Sequence, residues 1–374
     1  MKNNIIVTLV TEYTECHGIF SVKTISEVCR LSGYRGIGFT NIPKYKDLSN
    51  EYMIIHVLPK GFKLSKIHEG IDNEFQKYID SVFFFRSIFE KEEIGIIVNF
   101  LEWWFYDYLK TSVKIKADKT VAFLHCFITE CLAQSKRFDD DYLIQIQKEV
   151  GKFLPNEQRM IDTCDHLLVA SLGVAENIKQ HFTHLSDLDF TVVEIYSDKI
   201  PLFAKKPLLD NYHKPNAFFV GKMDLQDGFW RLSESDNILK IGDRIFDRKT
   251  TTAGFIASWD ELIDDIPFGI LPAPYETRGL IPQEIQALGR IPLVDRYNKG
   301  SAEQIEHAKT GFLIDFNQSW KSQIDDILNV YPNEELKQIA AAARFSLDNR
   351  YIDFAKSLSK SLITLGEKLE VNMI

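Results

Sequence analysis

The chain has 374 residues, 45% of them hydrophobic and 26% charged, with a formal net charge of −9 and a pI near 5.6. This length is long for one hydrophobic core and predicts two domains, while the acidity argues against a face that coats nucleic acid, a local basic groove remaining open. Five cysteines without a CxxC pair (Cys16, Cys29, Cys126, Cys131, Cys164) exclude a disulfide framework, and no run approaches the 18 uncharged apolar residues of a membrane span.

The first segment, NNIIVTLV, is a continuous β-branched run, as in a strand covered on both faces. After the loop TEYTECHGIF, the stretch SVKTISEVCRLSGY puts Val22, Ile25, Val28 and Cys29 on one helical face and stops at Gly33; RGIGFTNI is the next strand. A chain that opens β–loop–α–β begins a Rossmann-like parallel sheet. YMIIHVL, IGIIVNF, TVAFLHCF and DHLLVAS repeat the strand texture, whereas KIPLFAKKPLLDNYHKPN is rich in Pro and Lys without a period and is expected to link two domains. Alternation restarts with AFFVGKM, NILKIGD, TTAGFIA, FGILPAP, IPLVD and KTGFLID as strands, and helices are expected near 258–264, 282–288 and 301–308. NEELKQIAAAARFSL and YIDFAKSLSKSLITLGEKLE are amphipathic helices. The expected organisation is α/β: a Rossmann-like domain over 1–198, a linker over 199–216, a second Rossmann-like domain over 217–350, and a helix over 351–374 packing back on the first domain. Two doubly wound domains enclose a cleft at the carboxyl ends of their strands, where ligands bind. The N-terminus lacks a long apolar segment, so the protein is expected in the cytoplasm, with contact to a membrane surface left open.

The chemistry concentrates in APYETRGLIPQEIQALGRIPLV, Ala273 to Val294, where Glu276 and Glu284 have seven residues between them. Pro282 fits a first helical position and Gly289 the residue after the last turn, which puts Glu284 in the first turn, where a carboxylate complements the helix dipole. The amides of Arg278, Gly279 and Leu280 lead into that helix and suit a diphosphate. From Leu271 to Asp315 the segment resembles the donor-binding region of retaining GT-B glycosyltransferases, the group 1 enzymes that include sucrose synthase and bacterial mannosyl- and glucosyltransferases. Glu276, Glu284, Ala287, Gly289, Pro292, Val294, Gly300, Glu303, Ile305, Gly311 and Leu313 fall in the order of that pattern. FFVGKMDLQDGF, TTAGFIASWDEL, HGIF and CDHLLVASLGVAENIKQHF extend the likeness over nearly the whole chain, residues 45–118 matching poorly.

The resemblance implies two Rossmann-like domains facing a cleft and a hexosyl- or pentosyltransferase that moves a sugar from a nucleotide-diphospho-sugar, with UDP or GDP foremost, to a hydroxyl, with retention and with neither cofactor nor metal. It implies that Glu284 accepts both ribose hydroxyls, that Glu276 and His125 lie against the donor sugar, that Lys222, Arg278, Gly279 and Leu280 approach the diphosphate, and that Gly18 lets backbone approach the diphosphate or the acceptor. The family pattern has Arg then Lys in the loop where this chain has Lys222 then Asp227, and Arg278, Lys299 or Arg244 are the neighbours able to supply the missing charge. The aromatic run NFLEWWFYDYL (Trp103, Trp104, Phe105, Tyr106, Tyr108) suits either core packing or an acceptor surface, and with it a glycan or glycolipid acceptor. Asp139–Asp141 contains a D-x-D better suited to a helix cap than to a metal, and His125 with Cys126 and Cys131 lacks a second pair for zinc. Two other functions remain open: a DNA-modifying glucosyltransferase of phage type, and a non-catalytic scaffold of the same fold. An epimerase or phosphorylase suits the two glutamates less well.

Overall fold

The computed structural model describes residues 5–10, 21–59, 75–90, 94–99, 108–124, 144, 157–158, 161–162, 164–182, 189–197, 199–221, 228, 231–232, 238–241, 259–276, 278–350 and 353–371.

The first half is parallel β with helices between the strands. β1 (Ile5–Leu9), β2 (Arg35–Thr40) and β3 (Met53–Val57) form one sheet in that order, and β4 (Ile94–Asn99), β5 (Ala117–Leu124), β6 (His166–Val169) and β7 (Asp189–Val192) a second. β4 runs beside β1, so the strands follow one another as 3-2-1-4-5-6-7, an order of Rossmann type. Helix α1 (Val22–Ser32) starts where the Ser21 side chain accepts from the Thr24 amide, and it buries the expected Val22, Ile25, Val28 and Cys29. Helix α2 (Phe75–Phe89) brings Phe85 edge-on to Phe39 of β2 and to Tyr108, so Tyr108 of the aromatic run is a core residue; Trp103 to Tyr106 lie outside the described residues. Helix α3 (Leu172–His181) follows β6 and is capped by Ser171. Cys29 and Cys164 are buried free thiols.

The segment expected to link the two halves is packed on the second. Helix α4 (Ile200–Phe203) buries Ile200 and Phe203 in the core of the second half, and Tyr212 is buried there too, its hydroxyl donating to the Gly289 carbonyl at 2.6 Å. The sheet of the second half is all parallel, in the order β12 (Phe312–Ile314), β11 (Ile291–Asp295), β10 (Phe268–Leu271), β8 (Ala217–Val220), β9 (Ile238–Ile241). From β8 the chain winds outward to β9; from β10 it winds the other way, to β11 and β12. The switch point therefore falls between β8 and β10, and a ligand is expected outside their carboxyl ends. The expected strand in TTAGFIA lies outside the described residues.

The helix after β10, α5 (Leu280–Ala287), begins two residues earlier than the proline suggests. Pro282 is its third residue, which costs nothing there because the first four helical amides have no intrahelical acceptor. Gly289 does take the left-handed conformation after the last turn, φ 65°. The expected helix near 301–308 is a single turn, α6 (Lys299–Ala302), and that near 258–264 is a 3-10 turn, Trp259–Glu261. Helices α7 (Trp320–Val330) and α8 (Asn333–Arg350) cover the sheet of the second half. The last helix, α9 (Phe354–Val371), packs on α1 of the first half: Phe354, Ala355, Leu358, Leu362 and Leu365 share a core with Val22, Ile25, Val28 and Cys29. Tyr34 donates to the Leu362 carbonyl at 2.7 Å and Ser359 to that of Val28 at 3.2 Å, which fixes the register of the two helices.

Candidate functional site

The switch point is shaped by two loops, one leaving β8 and one leaving β10. The β8 loop is folded down onto the other at Gly228. Its φ is 73°, and a Cβ there would stand 2.3 Å from the Pro272 carbonyl oxygen, so only glycine fits. Arg231, three residues on, donates to the same carbonyl at 2.7 Å. Its guanidinium also pairs with Asp295 at the end of β11 and lies over Phe316. Gly228→Ala is expected to cost at least about 1–2 kcal/mol for the left-handed backbone alone and to displace this loop, read as a lowered denaturation midpoint. Lys222 and Asp227, like Gly18, His125 and Arg244, lie outside the described residues; His125 directly follows Leu124, the last residue of β5.

The β10 loop carries Glu276, which is exposed at the carboxyl end of the strand. Its carboxylate folds over Gly279, where a Cβ would come within 2.9 Å of both Glu276 Oε2 and Ser301 Oγ. Gly279 is also the N-cap of α5 and has no side chain of its own to cap that helix. The amides from Leu280 onward therefore form an anion-attracting end beside the Glu276 carboxylate.

Glu284 is the fifth residue of α5, two positions further along than expected, in a closed environment. It is 4% exposed: Ser197 Oγ donates to Oε1 at 2.6 Å, Trp259 Nε1 to Oε2 at 3.1 Å, and Lys199 Nζ stands 3.6 Å from Oε2. Gln283 beside it is equally committed, donating to the Ile195 carbonyl at 2.8 Å and to Gln304 at 2.9 Å while accepting from the Ser197 amide at 3.1 Å. The side chains of α5 thus hold the strap from Ile195 to Lys199, which carries the chain out of the first half. The sequence singles out neither Ser197, Gln283 nor Trp259. Trp259 falls inside the quoted TTAGFIASWDEL, and an indole two residues before a Glu-Leu pair is the one clue it offered.

Arg278 is placed between the two halves of the chain. It was expected to help neutralise a diphosphate, but its side chain is buried and already pairs with two carboxylates, Glu303 at 3.2 Å and Glu194 at 3.6 Å, while its guanidinium covers the Tyr196 ring. Burial of a guanidinium demands such partners, and here they come from both halves of the chain. Lys299 likewise spans the halves, donating to Asn177 of α3 at 2.6 Å. Glu303 completes the bracket by accepting from the Gly173 amide, in the first turn of α3, at 3.1 Å.

Burial raises the Glu303 carboxyl above its ordinary value of 4.5, the Gly173 amide and Arg278 offsetting part of that rise. A raised folded-state value means that folding takes up a proton, so this contribution to stability is complete below the unfolded value and is lost as pH rises through the folded one. The unfolding free energy of wild type minus that of Glu303→Gln is therefore expected to fall across a window just above pH 4.5 and to be flat on either side. Urea titrations over a pH series measure it.

Among the described residues no group of three or more His, Cys, Asp or Glu side chains could hold a metal ion, and no helix is long and apolar enough to cross a membrane. Asp139–Asp141, Cys126 and Cys131 lie outside those residues.

Residues 248–345 match the family model described as Glycosyl transferases group 1. No curated protein sequence matches the chain. Among solved structures, the chain is similar over 99% of its length to all of a sucrose-phosphate synthase from Thermosynechococcus elongatus, at 13% identity and a TM-score of 0.65. It is similar over 97% of its length to all of Anabaena Alr3699/HepE in complex with UDP, at 12% identity and a TM-score of 0.59. It is similar over 98% of its length to all of the lipopolysaccharide outer core galactosyltransferase WaaB, at 13% identity and a TM-score of 0.53. At such identities the likeness establishes the fold, which is GT-B.

Proposed function

We propose that this chain, a glycosyltransferase of GT-B fold with a group 1 donor segment, transfers a sugar from a nucleotide-diphospho-sugar to an acceptor hydroxyl with retention. The observation that carries the proposal is the β10 loop at the switch point, where the exposed Glu276 carboxylate stands beside Gly279, the glycine that starts α5. A sugar diphosphate suits that pair of features, its anionic end on the helix amides and its hydroxyls within reach of the carboxylate.

In this reading the leaving diphosphate gathers the largest charge of the transition state, and the amides from Leu280 together with Lys222 stabilise it without a metal. Glu276 and His125 position the sugar. The acceptor hydroxyl attacks on the face the diphosphate leaves, and a diphosphate oxygen takes its proton. Glu284 holds the ribose. UDP is the first nucleotide to try, since HepE is described in complex with UDP and with UDP-glucose, and GDP the second. The similarity to a lipopolysaccharide galactosyltransferase favours a glycan or glycolipid acceptor.

Thermal shift and donor hydrolysis across UDP-, GDP-, ADP- and CDP-sugars, with and without EDTA, test the proposal. One nucleotide class that stabilises the protein and is hydrolysed in EDTA is the expected result. The closed pairing of Glu284 favours a second reading, a non-catalytic scaffold, which predicts no shift with any donor.

A further inference from the structure

Glu284 is sealed by side chains of its own chain, and its two closest donors are held in different ways. Trp259 is fully buried, its ring edge-on to Phe203 at 5.6 Å and tilted against Phe218 at 5.8 Å, so its N–H cannot leave Glu284 without opening the core of the second half. Ser197, 2% exposed, sits on the strap between the halves, and its hydroxyl leaves by rotation about a single bond. Gln283 holds the Ser197 amide and the Ile195 carbonyl independently of the hydroxyl, so rotation of the hydroxyl frees only Glu284 and the Lys199 amide, which donates to it at 3.3 Å. Lys199 is partly exposed, and its Nζ stands 3.6 Å from Glu284 Oε2.

A hydroxyl donating to a buried carboxylate is chemically what a ribose hydroxyl would be. Resting on the donor reading given above, we infer that Ser197 sets donor affinity by occupying the place of a ribose hydroxyl on Glu284, with Lys199 beside it. Donor binding is then an exchange: the ribose hydroxyl replaces the Ser197 hydroxyl, Lys199 swings outward, and Trp259 stays to fix the carboxylate. One O–H donor replaces another on the same oxygen, so the new contact gains little over the one it breaks. The wild-type protein thus binds ribose nucleotides more weakly than its residues allow. A nucleotide without ribose hydroxyls cannot make the exchange at all.

The test is calorimetric titration of wild type and Ser197→Ala with UDP and GDP, each against its 2′,3′-dideoxy form, together with the melting temperature of each protein alone. The variant is expected to melt lower, because a buried carboxylate loses a donor. It is also expected to bind the ribose nucleotide about three- to tenfold more tightly, the equivalent of one net hydrogen bond, with the dideoxy form unchanged. A purely structural serine would move stability and affinity downward together. Ribose affinity that is unchanged or weaker overturns the inference, as does an equal gain for the dideoxy form. If UDP and GDP bind neither protein, the donor reading fails and this inference with it; if they bind both proteins equally, the donor reading stands and the inference alone falls. Ser197→Cys, of similar volume and a weaker donor, carries the same test with the same sign should the alanine variant not fold.

Discussion

Asp295→Ala is expected to destabilise the second half of the chain by about 3–5 kcal/mol, the usual cost of removing one partner from a buried ion pair. The Asp295 side chain is wholly inaccessible and that of Arg231 is 2% exposed, so the guanidinium left behind has no path to water in the native structure. The other Asp295 oxygen accepts from the Tyr297 amide at 3.0 Å, and the substitution also frees that turn. Chemical denaturation, followed by a probe of the second half, measures the loss. Replacing both partners by apolar residues, Arg231→Met with Asp295→Leu, is expected to recover much of it, because no unpaired charge then remains. Recovery is incomplete, since Arg231 also donates to the Pro272 carbonyl and to Asn317 at 3.2 Å. A single-variant loss under about 1 kcal/mol would place the pair in the class of exposed bridges and contradict its burial. The pair also bears on function: through Pro272 it holds the β10 loop that ends at Glu276.

Much of this fold is legible locally. Short runs rich in Ile, Val and Leu, such as IIVTL and IPLVD, announce strands covered on both faces, and Val22, Ile25, Val28 and Cys29 announce the buried face of α1. Gly289 marks the end of α5 because few other residues accept its backbone angle. The start of α5 misled for a related reason: Pro282 is tolerated at any of the first positions, so it bounds the helix start without fixing it. β7, four residues beginning with Asp189, has too short a pattern to stand out. The site divides the same way. Two glutamates separated by a loop and half a helix are visible as a spacing. The partners that close Glu284 are 87 residues away at Ser197 and 25 away at Trp259, and no local period connects them. Arg278 shows the same limit: a basic residue next to a glycine and a helix start suits an anion, and only the tertiary positions of Glu194 and Glu303 reveal that its charge is already matched.

Glu276→Gln and Glu284→Gln are expected to fail in opposite ways, and the contrast bears directly on the proposed transfer. Glu276 is exposed, so the amide should leave stability within about 0.5 kcal/mol. Nucleotide affinity should also persist, because the helix amides and Glu284 remain. Turnover should fall about 100-fold, the scale of a misplaced reacting group. Glu284 is different because both of its oxygens accept. A glutamine offers one carbonyl and one NH2, and Trp259 Nε1 can only donate, so the carbonyl must face the indole and the NH2 must face Ser197. The Ser197 hydroxyl already accepts from the Lys199 amide at 3.3 Å and would now have to accept twice, while Lys199 loses its counter-charge. Stability should drop by about 1–3 kcal/mol. Nucleotide affinity should fall about tenfold or more as charge-assisted hydrogen bonds become neutral ones, with the turnover of bound donor less affected. Titration separates binding from stability, and single-turnover donor cleavage separates binding from chemistry. If Glu276→Gln keeps full turnover, the exposed acid is not at the reacting centre and the β10 loop loses its claim. If Glu284→Gln keeps full affinity, its carboxylate serves the strap from Ile195 to Lys199 alone, and the ribose must be held elsewhere.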